Sequence, residues 1–179
     1  MNRLGHVLMH FGGNESLVLA LVSHSVGFVI IGGTAVAWHC PQREARDLDI
    51  MLNPTADNSK RTTAALRSIN LHVTDYDWFS VPGRLVKLDR HLFADLLTPK
   101  LGAPTFREVS IDAEDAVMFG VHVRVAAIPA MLQLKRLAAE YGDDGLDKHL
   151  RDLALLERAL ADQNWRPKHC RIRSIRDTD

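Results

Sequence analysis

The sequence contains little cysteine, and its cysteines lack the spacing of a cysteine-based site. Cys40 and Cys170 are the only two in 179 residues, and they lie far apart, so we expect neither a disulfide scaffold nor a cysteine zinc site. Each follows a histidine, but four zinc ligands drawn from two such dipeptides would be a rare arrangement. Reduced thiols in a cytoplasm are the simpler interpretation. The glycine patterns of P-loop and dinucleotide-binding proteins are missing as well.

An excess of charge of one sign and long apolar runs are also absent. The chain carries 22 Lys and Arg residues against 22 Asp and Glu residues, so no overall field attracts nucleic acid or a membrane surface. The N-terminal apolar stretch is interrupted by His10, Glu15 and His24, which is not the pattern of a signal peptide. No run reaches the length of a membrane span. We therefore predict a cytoplasmic protein with no membrane partner.

The patterning that is present predicts an α/β (α+β) domain. Hydrophobic residues make up 46% of the chain, enough for one domain with a core. Apolar residues at helical spacing predict helices at 15–26 (with Asn14 as a cap), 33–40, 55–69, 129–141 and 146–162. Alternating or short apolar runs predict strands at 28–31, 47–52, 71–79, 84–88 and 91–98, and short strands within 106–128.

This order of elements is typical of a mixed sheet flanked by helices. We predict a core at 1–128 and a C-terminal helical part of the same domain at 129–164. The remaining residues, 165–179, form a basic tail with five Arg or Lys residues between Arg166 and Arg176. Such a tail either follows an RNA backbone or is simply solvated.

A double glycine marks the first candidate site. The predicted strand at 28–31 runs into Gly32, Gly33 and Thr34 at the start of a helix. Glycine lets the backbone approach a ligand closely, the first N–H groups of a helix attract anions, and the threonine adds a hydroxyl donor. The segment is suited to a triphosphate, although the same pattern also occurs as a plain tight turn.

Two aspartates on the next predicted strand are the second candidate. Asp47 and Asp49 are two residues apart, so on a strand they point to the same face, roughly 6.5–7 Å apart. A carboxylate pair of this kind, completed by phosphate oxygens, suits Mg²⁺. A solvent-facing strand edge is the alternative. The equally spaced Asp75 and Asp77 have no upstream glycine pair, and we interpret them as a polar turn or strand end.

A third carboxylate would convert the pair into a two-metal site. Asp95 is the only charge in the apolar run Leu92 to Leu97, and burying a lone carboxylate is costly unless it is paired or liganded. Asp89 is the alternative, but it lies at a predicted hairpin link, where Asp is common. We therefore favour Asp95.

Taken together, these segments resemble the DNA polymerase β-like nucleotidyltransferase superfamily. More narrowly, they are similar to its small bacterial branch, with AbiEii/MenT-type toxins and aminoglycoside and lincosamide nucleotidyltransferases. The shared segments span about residues 15–160: the Gly-Gly-Thr turn, Asp47-Leu48-Asp49, Asp95-Leu96-Leu97-Thr98, the Lys135 helix and Asp152-Leu153. One departure is Ala45, where the branch often has Thr.

The resemblance implies a polymerase β-like fold and transfer of a nucleoside monophosphate from an NTP to a hydroxyl acceptor, with release of pyrophosphate. Gly32, Gly33 and Thr34 would hold the phosphates, and Asp47, Asp49 and Asp95 would bind Mg²⁺ or Mn²⁺. With only one metal bound, Asp95 could act instead as the general base.

Further roles follow from the same resemblance. Arg43 and Lys135 would be cations for the phosphates, with a solvated helix position as the alternative for Lys135. The acceptor classes of the superfamily are RNA such as tRNA, protein and small molecules. Two alternatives to an active transferase of this kind are a catalytically silent nucleotide-binding scaffold and a toxin of the same fold that is controlled by an antitoxin partner.

Overall fold

The computed structural model describes residues 13–73, 77–88, 92–141 and 145–165. Their six α-helices are α1 (Glu15–Ser23), α2 (Gly32–His39), α3 (Ala56–Ser68), α4 (Phe106–Ile111), α5 (Ile128–Tyr141) and α6 (Leu146–Trp165). Their strands are β1 (Phe28–Ile31), β2 (Leu48–Leu52), β3 (Leu85–Leu88), β4 (Ala94–Leu97), β5 (Glu114–Met118) and β6 (Val121–Val125).

The six described strands form one mixed sheet in the order β3-β4-β2-β1-β6-β5. The pairs β1/β2, β3/β4 and β5/β6 are antiparallel, whereas β2/β4 and β1/β6 are parallel. The predicted α+β class with a mixed sheet is therefore confirmed. None of the described helices is both long and apolar enough to cross a membrane.

The central strands are apolar because both of their faces are covered. Val29, Ile30 and Leu48 are almost fully buried, as expected for strands with helices packed on the sheet. Helix α2 packs against α5, α6 and the first two strands, and α1 packs against α3. The C-terminal helices thus lie against the helix that begins at the double glycine.

Two predicted strand regions are wrong. Residues 71–73 are irregular, and Trp78–Ser80 form a 3₁₀ turn instead of the end of a strand. Phe79 is fully buried, and its backbone N–H donates to Ser59 Oγ at 3.1 Å. The apolar residues of this segment therefore anchor a loop on α3 and do not extend the sheet.

The second wrong region begins at Phe106, where α4 replaces the first of the predicted short strands. Thr105 accepts from the backbone N–H of Glu108, and the Glu108 carboxylate accepts from the backbone N–H of Thr105. This capping box is a helix-start signal in the sequence. The later part of the prediction is right, since β5 and β6 form a hairpin.

The predicted cap of the first helix has a different role. Asn14 precedes α1, but its side chain makes no capping hydrogen bond. Its amide donates instead to the backbone carbonyls of Leu92 and Phe93, next to β4. The buried asparagine thereby ties the start of α1 to the strand that carries Asp95.

Candidate active site

Two of the three predicted carboxylates lie on neighbouring parallel strands, and the third lies just before one of these strands. Asp49 of β2 lies in register with Asp95 of β4, so the two residues are adjacent across strands spaced about 4.8 Å apart. Asp47 lies in the bend immediately before β2, not in the strand itself as predicted. All three side chains are partly buried.

The electrostatics of Asp49 show how close these groups are. Burial, the charge of Asp47 and, more weakly, the charge of Asp95 raise the pKa of Asp49 from 3.8 to about 6. A hydrogen bond from Gly33 and the charge of Lys135 act in the opposite direction. Repulsion between like charges makes such a cluster unfavourable without a counter-cation.

The double glycine lies directly against this carboxylate. Gly32 has a φ of +63°, and a Cβ on it would come within 1.7 Å of Asp49 Oδ2. Only glycine satisfies both constraints, because it tolerates the left-handed conformation and has no Cβ. The backbone N–H of Gly33 donates to Asp49 Oδ2 at 3.2 Å. The N-terminus of α2 therefore already faces an anionic group.

Thr34 supports the site from behind. Its side chain is fully buried, and its hydroxyl donates to the backbone carbonyl of Asp47 at 2.9 Å. In this arrangement the hydroxyl holds the bend that carries Asp47. The contact with a phosphate that the sequence led us to expect stays a prediction.

The two predicted cations converge on a buried carboxylate, Asp152 of α6. Lys135 Nζ lies 2.6 Å from Asp152 Oδ2, and Arg43 Nε lies 2.9 Å from Asp152 Oδ1. Asp152 is 1% exposed and Lys135 is 5% exposed, so the solvated alternative for Lys135 is wrong. The Arg43 guanidinium also lies 3.7 Å from the point where a Cβ on Gly33 would lie, which places this cation at the start of α2.

The pKa of Asp152 reflects this pairing. Burial alone would raise it, but the hydrogen bonds and charges of Lys135 and Arg43 outweigh burial, and the pKa is lowered. Asp152 is therefore ionised at neutral pH, and it leaves the pair of cations with one net positive charge beside the glycine turn.

Asp152 is a residue of the site that the sequence pattern did not reveal. It lies on the same helical face as Leu156, which is part of the hydrophobic core. A carboxylate on the apolar stripe of an amphipathic helix is the signal that could have identified it, because such a group is costly to bury without a partner. Its partners Lys135 and Arg43 are 17 and 109 residues away in sequence, so the local sequence pattern could not identify them.

The carboxylates fit a divalent cation by their chemistry. In the described part of the chain, no three His, Cys, Asp or Glu side chains are close enough together to hold a metal ion on their own. Mg²⁺ is usually bound by one or two carboxylates together with substrate phosphates and water. The hard oxygen donors of Asp47, Asp49 and Asp95, and the raised pKa of Asp49, suit a cation of this kind.

Some sequence predictions lie outside the described residues. These are the alternative carboxylate Asp89, the first residue of the Asp75/Asp77 pair, and the basic tail beyond residue 165. Asp77 itself precedes the 3₁₀ turn, in agreement with its interpretation as a polar turn residue.

The sequence matches no protein-family model and no curated protein, whereas the structure resembles solved nucleotidyltransferases. An antigenic nucleotidyltransferase-like protein from Paracoccidioides brasiliensis aligns with 85% of this chain and 88% of its own, at 19% identity and a TM-score of 0.50. ANT(2″)-Ia in complex with adenylyl-2″-tobramycin aligns with 83% of this chain and 88% of its own, at 18% identity and a TM-score of 0.51.

A solution structure of the antibiotic-resistance factor ANT(2″)-Ia aligns with 83% of this chain and 82% of its own, at 17% identity and a TM-score of 0.51. At such identities the likeness concerns the fold and not the substrate. The mixed sheet therefore has the nucleotidyltransferase fold.

Proposed function

We propose that this protein is a metal-dependent nucleotidyltransferase, which transfers a nucleoside monophosphate from an NTP to a hydroxyl acceptor and releases pyrophosphate. The observation that carries the proposal is the contact between the two sequence motifs. The glycine turn at the start of α2 touches Asp49, and Asp95 lies beside Asp49 in the sheet. A phosphate-binding element and a carboxylate cluster therefore share one site, within the fold of known nucleotidyltransferases.

The triphosphate would be held by three groups of this chain. The backbone N–H groups at the start of α2 supply hydrogen bonds and the positive end of a helix dipole. Lys135 and Arg43 supply positive charge, and Asp152 positions both of them. Because Asp152 fixes the side chains before the substrate arrives, little side-chain entropy is lost on binding.

The carboxylates would align the reaction. Asp47 and Asp49, joined by Asp95, would hold Mg²⁺ or Mn²⁺ together with phosphate oxygens. When bound, such a cation neutralises charge on the phosphates and lowers the pKa of an acceptor hydroxyl. Asp95, beside Asp49 in the sheet, would accept the proton of the acceptor hydroxyl if it does not bind a second cation.

The acceptor is a hydroxyl compound, and experiment identifies its class. The complex of ANT(2″)-Ia contains an adenylylated aminoglycoside, which favours testing small hydroxyl compounds first. RNA and protein hydroxyls remain in the test because the fold alone does not choose among them. Control by an antitoxin, and location in the cytoplasm, stay predictions from the sequence.

Label transfer tests this function. The protein is incubated with Mg²⁺ and each of four α-³²P-labelled ribonucleotides, in the presence of aminoglycosides and lincosamides, total RNA or protein extract. We expect label in one acceptor class with wild type, and none with the double variant Asp47→Ala/Asp49→Ala. Absence of both label transfer and Mg²⁺-dependent triphosphate binding would contradict the proposal.

A silent nucleotide-binding protein is the second candidate. The observation that favours it is that, in the described part of the chain, no three His, Cys, Asp or Glu side chains are close enough together to hold a metal ion without substrate phosphates. Triphosphate binding that requires Mg²⁺ but releases no pyrophosphate with any acceptor would support this candidate over the transferase.

A further inference from the structure

His149 is a partly buried group of the site that the proposed mechanism does not use. It lies three residues before Asp152 on α6, so the two side chains share one face of the helix. Its Nδ1 atom is buried and has no hydrogen-bond partner among the described residues. A buried polar atom without a partner is unfavourable, so it requires an explanation, such as a functional role or an ion that binds to it.

The charges around this imidazole come from two packed helices. Burial lowers the pKa of His149, and the charges of Lys135 on α5 and Lys148 on α6 lower it further. Asp152 acts in the opposite direction, but it is shared between Lys135 and Arg43. The free protein therefore keeps the imidazole neutral beside a cationic cluster.

We propose that His149 is a further triphosphate-binding residue, whose unpartnered Nδ1 atom donates a hydrogen bond to the bound phosphates. The imidazole is neutral in the free protein and protonated in the complex, so that binding takes up one proton. The inference rests on the proposed function, because it places the phosphates at Lys135 and Arg43. Phosphate charge at these cations reverses the field that keeps the imidazole neutral. The imidazolium then has N–H donors at both ring nitrogens, and donating to an anion gives Nδ1 the partner it lacks.

The test measures proton uptake with inorganic tripolyphosphate and Mg²⁺ as the probe. Calorimetry at pH 7 in two buffers with different ionisation heats gives the number of protons taken up. The variants are His149→Gln and, as a matched control, His122→Gln, which changes an exposed histidine on β6. Thermal unfolding of each variant shows that it folds.

We expect wild type and His122→Gln to take up close to one proton more than His149→Gln. The His149→Gln variant should bind roughly tenfold more weakly at pH 6, where the imidazolium forms readily, and within about twofold of wild type at pH 8.5. Equal proton uptake in all three proteins, or a loss of affinity that does not depend on pH, would overturn the role of His149.

The same experiment separates this inference from the proposed function. If wild type binds neither tripolyphosphate nor Mg²⁺-ATP at any pH, the triphosphate site itself is refuted, and the inference falls with it. If wild type binds and Lys135→Met does not, while His149→Gln behaves as wild type, only the inference about His149 is refuted.

Discussion

Replacing Asp49 with asparagine should stabilise the metal-free protein. The folded state raises the pKa of this carboxyl from 3.8 to about 6, so above pH 6 the ionised form opposes folding. A shift of about two pKa units corresponds to about 3 kcal/mol. The Asn variant keeps an oxygen for the N–H of Gly33 and removes the charge, so its free energy of unfolding should rise by up to about 3 kcal/mol at pH 8.

The sign of the pH dependence makes this prediction specific. A carboxyl with a raised pKa loses its destabilising effect as the pH falls through 6 toward 3.8, because it is then protonated in the folded state. The gain of the Asn variant should therefore shrink below about 1 kcal/mol at pH 4. Urea unfolding in EDTA at both pH values measures the difference.

An exposed carboxylate provides the control. Asp115 on β5 has an 89% exposed side chain, and Asp115→Asn should change stability by less than about 0.5 kcal/mol at either pH. If Asp49→Asn is no more stable than wild type at pH 8, or if its gain is the same at pH 4, burial and the charge of Asp47 do not raise the pKa of Asp49 as the structure indicates.

Three other perturbations test the surroundings of the site. Gly32→Ala should destabilise the protein more than Gly120→Ala by at least about 1 kcal/mol in urea unfolding. Both glycines have a positive φ, but only a Cβ on Gly32 would meet another group. Equal losses of stability in the two variants would contradict the close approach of Gly32 to Asp49. Asp152→Asn should cost about 3 kcal/mol at pH 7 by leaving buried cations unpaired. Because the pKa of Asp152 is lowered from 3.8, that cost should persist above pH 4 and disappear as the pH falls through the lowered value; a cost unchanged at pH 2 would refute the ion pairing. Phe79→Ala should cost about 3–5 kcal/mol in thermal or urea unfolding, and a cost below about 1 kcal/mol would show that the loop is not anchored by this ring.

Predictions from the sequence were most accurate where only one structural role was physically favourable for a residue or segment. The apolar run before Gly32 and the helix after it follow from local patterning, and the structure contains both. Asp95 was chosen because a lone charge in an apolar strand requires a partner, and it lies in register with Asp49. The prediction of a strand at 71–79 failed because the apolar residues of this segment are buried equally well when they anchor a loop on α3. Local spacing cannot distinguish a strand from such a loop.

For the cations of the site, the residues could be predicted from the sequence, but their burial could not. Lys135 and Arg43 were candidates from the resemblance, but their burial depends on Asp152 from a distant helix. The hydrogen bond of Thr34 was not predicted for a similar reason, since its hydroxyl donates to the carbonyl of Asp47, a partner that the fold brings close. Contacts between distant segments are set by packing and leave little trace in local sequence.

The most direct test of the central claim is the release of pyrophosphate from NTPs with Mg²⁺ and the acceptor mixture. Wild type and Asp115→Asn are compared with Asp49→Asn, Asp95→Asn and the double variant. We predict that each single variant, Asp49→Asn or Asp95→Asn, loses roughly 10³-fold or more in rate. The double variant Asp49→Asn/Asp95→Asn should be hardly slower than either single variant, as for residues acting as one unit. Full activity of Asp95→Asn, or no release by wild type with any acceptor, would contradict the account.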